Sequence, residues 1–158
     1  MKIGIAKERR PYEARVAASP DTVKKYVAMG FEVAIESGAG LSAAITDAAF
    51  EAAGAKIVKT AKDALGSADI VLKVRKPIGP GAEVEKEADE IALMKSGATL
   101  ISLMEPYKDR ALIDALAAKK ITTFALEMVP RITRAQSMDV LSSQANLAGY
   151  KSVLDACN

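Results

Sequence analysis

DIVLKV, residues 69–74, is the stretch on which the fold turns. Its centre is aliphatic without a break. A strand with one wet face alternates apolar and polar residues, whereas a strand covered on both faces does not. Four further runs share this character: KIGIA (2–6), FEVAIE (31–36), TLISLM (99–104) and TTFALE (122–127). Parallel neighbours need long crossovers, so helices are expected between the runs. Ser19-Pro20-Asp21 reads as a helix start, with a cap, a proline at the first helical position and an acid in the first turn. Gly30 supplies the stop. Thr46-Asp47 opens a second helix that ends near Gly54, and Thr60 with Asp63 opens a third. EVEKEADEIALMKSG (83–97) and KDRALIDALAAKK (108–120) read as two more, and KIVK (56–59) is a small extra piece. VRKPIGPGA (74–82) is a loop. The alternation predicts an α/β fold. It is a doubly wound, mainly parallel sheet in three α/β/α layers, with right-handed crossovers and the flavodoxin-like strand order.

Bulk composition narrows the function. The chain has 158 residues, which suits one domain, and 50% of them are hydrophobic, enough for a sizeable core. Twenty-two basic residues against 20 acidic ones, with no tryptophan, argue against nucleic acid as a partner. A lone cysteine, Cys157, cannot build an internal disulfide, which fits a reducing, cytoplasmic setting. No run is long and apolar enough for direct membrane insertion. Histidine is absent. That removes Ser-His and Cys-His nucleophile pairs and makes a zinc site improbable, so no metal is expected.

Several polar clusters stand out. GAGLSA (38–43) matches a dinucleotide-binding glycine pattern, but the next helix is capped later, at Thr46-Asp47, so a plain tight loop is the better reading. The loop KERRPYEARVAASP (7–20) carries Arg15, whose stem the following Val-Ala-Ala is expected to bury. Lys73 and Arg75 close the third run and Glu127 closes the fifth. All three are expected at the carboxyl rim of the sheet, where open α/β folds bind ligands. Buried ion pairing explains them equally well. Arg131, Arg134, Gln136, Asp139 and Ser142 combine fork donors, an amide, a carboxylate and a hydroxyl. The set suits a carboxamide or a phosphate, and a surface loop with a helix cap is its plainer reading. From about Ser137 a helix is expected to run to Ala156. Its small-residue face, Ser142, Ala145, Gly149 and Ser152, is expected to pack on another domain or subunit.

KERRPYEARVAASPDTVKKYVAMGFEV, then ESGAG, then ITDAAFEAAGA, resembles the start of the alanine dehydrogenase and nicotinamide nucleotide transhydrogenase superfamily. The resemblance covers essentially the whole chain. PRITRAQSMDVLSSQANLAGY (130–150) is similar to the transhydrogenase branch, in particular to its NAD(H)-binding component. The resemblance implies hydride transfer between NAD(H) and NADP(H), coupled to proton translocation through a separate membrane subunit. It assigns Arg131, Asp139 and Ser142 to the nicotinamide end of NAD(H). Gln136 would reach toward NADP(H) on a partner domain, and Ile132, Thr133 and Arg134 would be backbone or phosphate neighbours. It also implies a homodimer, peripheral to the membrane through its partners. By the same resemblance, 1–136 is the α/β domain and 137–158 begins a long linking helix toward a Rossmann NAD-binding domain. The 158 residues alone are then expected to be inactive. Alanine dehydrogenases carry a lysine where Arg75 stands and a histidine near Met104-Glu105. Reductive amination moves protons, whereas hydride exchange between two nicotinamides needs orientation and water exclusion rather than a base. An alanine dehydrogenase-like enzyme part and a non-catalytic docking or regulatory module are the competing readings.

Overall fold

The computed structural model describes residues 1–80 and 89–157. Six parallel strands form one sheet in the order β3-β2-β1-β4-β5-β6. They are β1 (Lys2–Ile5), β2 (Glu32–Glu36), β3 (Lys56–Val58), β4 (Ile70–Leu72), β5 (Thr99–Ser102) and β6 (Thr122–Ala125). The five runs read from the sequence keep the flavodoxin-like order among themselves. KIVK, read as an extra piece, is instead the edge strand β3, pairing Ile57 with Ile35. With it the sheet takes the 3-2-1-4-5-6 order of doubly wound folds, which reverses direction between β1 and β4.

Helices α1 (Pro20–Ala28) and α2 (Asp47–Ala52) cover one face of the sheet, and α3 (Ala61–Leu65), α4 (Glu90–Leu93) and α5 (Arg110–Ala118) the other. The side chains of Ser19, Thr46 and Thr60 accept hydrogen bonds from the first-turn amides of α1, α2 and α3, as their residue types demand. Gly30 ends α1 at φ +86°. The first core layer packs Ile3, Ile5, Val23, Ile35 and Phe50; the second packs Leu65, Val71, Met94, Leu100 and Leu116. Gly4 lies where α3 crosses β1. A Cβ there would sit 2.3 Å from the Ala64 carbonyl oxygen and 2.7 Å from the Ala68 methyl, so only glycine fits.

The predicted helix over 83–97 shrinks to Glu90–Leu93 among the described residues, and 83–88 lie outside them. It stops because Met94 turns extended to bury itself in the core. The terminal helix α6 (Val140–Ala156) begins later than Ser137, since Thr133–Met138 forms a 3₁₀ turn and Asp139 is the cap. No residue of α6 is buried, and Leu147, Tyr150 and Val153 stand in the open.

Candidate functional site

The strand order reverses between β1 and β4, and the loops after β1, β4, β5 and β6 lie beyond the carboxyl ends of the strands. The first of these loops contributes Glu8, and Lys73 follows β4 directly. Lys73 is only 4% exposed, and its Nζ lies 2.8 Å from Glu90 Oε1 and 3.4 Å from Glu8 Oε2. Arg9 bridges the cluster to Glu36, with its other nitrogen 3.9 Å from Glu90. Of the two explanations open for Lys73, buried pairing is the one found. Burial raises the Glu8 carboxyl above its ordinary range, opposed by the Lys73 charge and the Val74 amide. The geometry agrees: Glu8 Oε2 is fully enclosed and receives no hydrogen bond.

This cluster underpins the loop Val74–Ile78. Glu8 Oε1 accepts the Val74 N–H at 2.8 Å, and Glu90 Oε2 accepts the Ile78 N–H at 2.9 Å. Arg10 donates to the Lys76 and Pro77 carbonyls at 3.1 and 3.2 Å. The loop then turns Arg75 and Lys76 into a cavity of 310 Å³, completed by Leu103, Glu105, Glu127 and Leu141. Lys76 is held by Asp109 at 2.8 Å, and that hydrogen bond, with the Leu112 amide, keeps the Asp109 carboxyl below its usual range. Glu127 accepts the Met104 N–H at 2.8 Å and also the Glu105 N–H, which fixes Glu105 at φ +50°. Arg75 and Glu127 thus reach the rim as expected, but Lys73 lies beneath it.

Only some of the polar set near α6 converges. Asp139 caps the helix, accepting the Ser142 amide at 3.0 Å and the Ser142 hydroxyl at 2.6 Å. Those two bonds, then the charge of Arg131, hold the Asp139 carboxyl below its ordinary range. Arg131, Asp139 and Ser142 therefore form one patch, beside the cavity wall that Leu141 supplies. Ile132 caps the 3₁₀ turn that carries Thr133, Arg134 and Gln136; all four are exposed, and the Gln136 carbonyl accepts the Asp139 N–H at 3.3 Å. The expected burial of the Arg15 stem is not found. Arg15 stays exposed because Glu13 pairs with it and Gln144 of α6 draws it outward at 3.2 Å. GAGLSA is a closed loop: the Gly38 N–H already donates to the Asp47 carboxylate at 2.9 Å, and a carboxylate at that amide repels phosphate.

Sequence reasoning missed Glu8, Arg10 and Glu90 as members of this frame. Their only signal was a charged loop after a strand and an acid opening a helix. Among the described residues no group of three or more His, Cys, Asp or Glu could hold a metal, and no helix is long and apolar enough to cross a membrane.

The chain matches the family described as alanine dehydrogenase/PNT, N-terminal domain, over residues 4–148. It is 42% identical over 158 residues to NAD(P) transhydrogenase subunit alpha of Haemophilus influenzae, covering 100% of this chain and 29% of the relative. An alanine dehydrogenase of Methanococcus maripaludis is 37% identical over 153 residues, 97% of this chain and 38% of that protein. Among solved structures, the transhydrogenase from Sinorhizobium meliloti superposes with a TM-score of 0.89 at 51% identity, covering 99% of this chain and 44% of that one. The chain thus spans less than half the length of the relatives it matches.

Proposed function

Because the chain belongs to the alanine dehydrogenase/PNT N-terminal domain family, we propose that it forms the nicotinamide-facing portion of the NAD(H)-binding component of a transhydrogenase. In this reading hydride passes between NAD(H), held partly here, and NADP(H) on a partner domain, coupled to proton translocation by a membrane subunit. One observation carries it: the Arg131–Asp139–Ser142 patch adjoins the rim cavity beyond the carboxyl ends of β4, β5 and β6, with no histidine in the chain. Orientation of two rings needs fixed hydrogen-bond partners and dry walls rather than a proton carrier. Asp139 and Ser142 lock each other, and Arg131 beside them offers a fork to a carbonyl or phosphate oxygen. Gln136, exposed on the 3₁₀ turn, is free to face a partner nucleotide, with Ile132, Thr133 and Arg134 flanking it.

The same reading takes 1–136 as the α/β domain and 137–158 as a linking segment. It places the protein in the cytoplasm, peripheral to the membrane through its partners. The Gly38 amide of the GAGLSA loop is taken by Asp47, which leaves it a poor pyrophosphate cradle, and in this reading the 158 residues alone are expected not to turn over. The same reading includes an assembled state, a homodimer.

Calorimetric titration with NADH tests the assignment. The expected result is weak binding, on the order of millimolar, weakened further by Asp139→Ala and Ser142→Ala. Tight binding indifferent to both substitutions would overturn it.

A further inference from the structure

The rim cavity carries a specific charge pattern. Of the residues lining it, Arg75 and Lys76 are cationic and Glu105 and Glu127 anionic, so the four charges cancel. A cavity of balanced charge gives no net attraction to a carboxylate or phosphate. It favours a neutral group that has both an acceptor and a donor.

The partners of each group sharpen this. Lys76 is engaged by Asp109, and Glu105 by Lys108 at 2.8 Å. Glu127 accepts two amides, but a carboxylate has about four lone-pair sites, so acceptor capacity remains. Arg75, half-buried, makes no hydrogen bond or ion pair among the described residues. Its charge acts at longer range on Glu13 and Glu105, whose carboxyls are lowered first by Arg15 and by Lys108 respectively. A fork donor with no partner among the described residues thus lines the same cavity as carboxylates that can still accept.

Arg75 is also held unusually well. Six backbone groups of its loop are engaged from outside it: the Val74 and Ile78 amides, and the Val74, Lys76, Pro77 and Ile78 carbonyls. Glu8, Arg10, Leu103 and α4 supply these contacts, with Lys73 clamped between Glu8 and Glu90 beneath. Such a frame leaves the guanidinium's approach preset, which lowers the ordering cost of binding.

We infer that Arg75 is a specificity-determining contact for a neutral primary carboxamide. Its fork takes the carbonyl oxygen, while Glu127 and Glu105 accept the amide N–H groups across the cavity. Glu8, Arg10 and Glu90 are positioning residues that act through the loop. This deepens the reading that the site receives the nicotinamide end of NAD(H). It selects the amide over its acid, because only the amide brings N–H donors for Glu105 and Glu127, whose charges offset the attraction of Arg75 for a carboxylate.

The probes are free nicotinamide and free nicotinate, titrated separately into the 158-residue chain and followed by ¹⁵N NMR. Nicotinamide is expected to shift the Arg75 Nε–H and the Met104 and Glu105 amides, and to bind at least about tenfold more tightly than nicotinate. Arg75→Ala should abolish the preference. Arg10→Ala, which removes two part-buried hydrogen bonds and leaves the Glu8–Lys73–Glu90 cluster intact, should speed exchange of the Val74 and Ile78 amides about tenfold. It should do so without touching Ile5 or Leu100 in the sheet. Glu8→Gln, which keeps the acceptor for Val74, should leave that amide protected, whereas Glu8→Ala should not. Equal or tighter nicotinate binding, or nicotinamide shifts that avoid Arg75, would overturn the inference. Nicotinamide selectivity in a protein that fails the NADH test above would sink the transhydrogenase reading and leave this one standing.

Discussion

Replacing Lys73 by methionine keeps much of its volume and removes the cation that separates Glu8 from Glu90. In the native protein Nζ lies 2.8 Å from one carboxylate and 3.4 Å from the other, with all three side chains at most 3% exposed. Without it, two carboxylates share an enclosed site, and the nearest remaining cation, Arg9, is 3.9 Å from Glu90 and committed to Glu36. Removing one partner of a buried ion pair costs about 3–5 kcal/mol. That is a large share of the roughly 5–15 kcal/mol that holds a domain together. At a urea slope of about 2 kcal/mol/M, the midpoint at pH 7 should fall by roughly 2 M with the slope unchanged. The pH dependence has a definite sign. Burial already raises the Glu8 carboxyl in the folded state, so its protonated form is the stabilised one. The stability this contributes is present below the unfolded value of 4.5 and is lost as pH rises through the folded one. Loss of Lys73 raises the folded value further and widens that window. The deficit of Lys73→Met should therefore shrink on acidification, by up to about 1.4 kcal/mol per pH unit for each extra proton bound. Urea unfolding followed by circular dichroism at pH 7 and pH 5 measures both quantities. A loss below about 1 kcal/mol at pH 7, or one of equal size at both pH values, would show that Lys73 does not hold the two carboxylates apart.

Three other outcomes follow from particular contacts. Gly4→Ala should cost about 3 kcal/mol, the upper end of overpacking, because its new methyl meets the Ala64 backbone oxygen rather than a movable side chain; chemical denaturation checks it. The Asp139 carboxyl is held below its ordinary 3.8 by Ser142, so its hold on α6 is present above that pH and lost as pH falls through the lowered value. Amide exchange over Ser143–Ala156 in wild type and Asp139→Asn should show that acid-dependent loss in the first and not in the second. Tyr150, 69% exposed on α6, should anchor self-association. Tyr150→Glu is expected to weaken it about thirtyfold in sedimentation equilibrium, the effect of losing an aromatic hot spot.

Most of the sheet could be read from the chain because strands buried on both faces write uninterrupted aliphatic runs. β3 escaped that test. It is a three-residue edge strand with one neighbour, half-exposed and flanked by lysines, so its run is short and its flanks look like solvent. Helix starts were legible wherever Ser or Thr caps the first turn. The start of α6 was misplaced because Thr133–Met138 satisfies its backbone in a 3₁₀ turn that composition does not distinguish from helix. The buried frame was illegible for a different reason. Glu8, Lys73 and Glu90 are far apart in the chain, and only the topology brings their charges within 3.4 Å. The sequence marked Lys73 as the end of an apolar run, which is compatible with a rim ligand and with a buried ion pair alike. Asp139 and Ser142 met at the start of α6 because a cap and its first-turn partner are local in sequence. Arg75 could be flagged by its difference from the dehydrogenase pattern, but its lack of a partner among the described residues could be seen only in three dimensions.

Whether this chain serves hydride transfer between two nicotinamide nucleotides can be decided with a hybrid. In it the 158 residues replace the matched segment of a transhydrogenase alpha subunit, and reduction of an NAD⁺ analogue by NADPH is followed. The hybrid is expected to transfer hydride, at least about tenfold more slowly with Arg131→Ala or Asp139→Ala, and the 158 residues alone are expected to transfer none. A folded, nucleotide-binding hybrid that transfers no hydride, or one indifferent to both substitutions, would contradict the assignment.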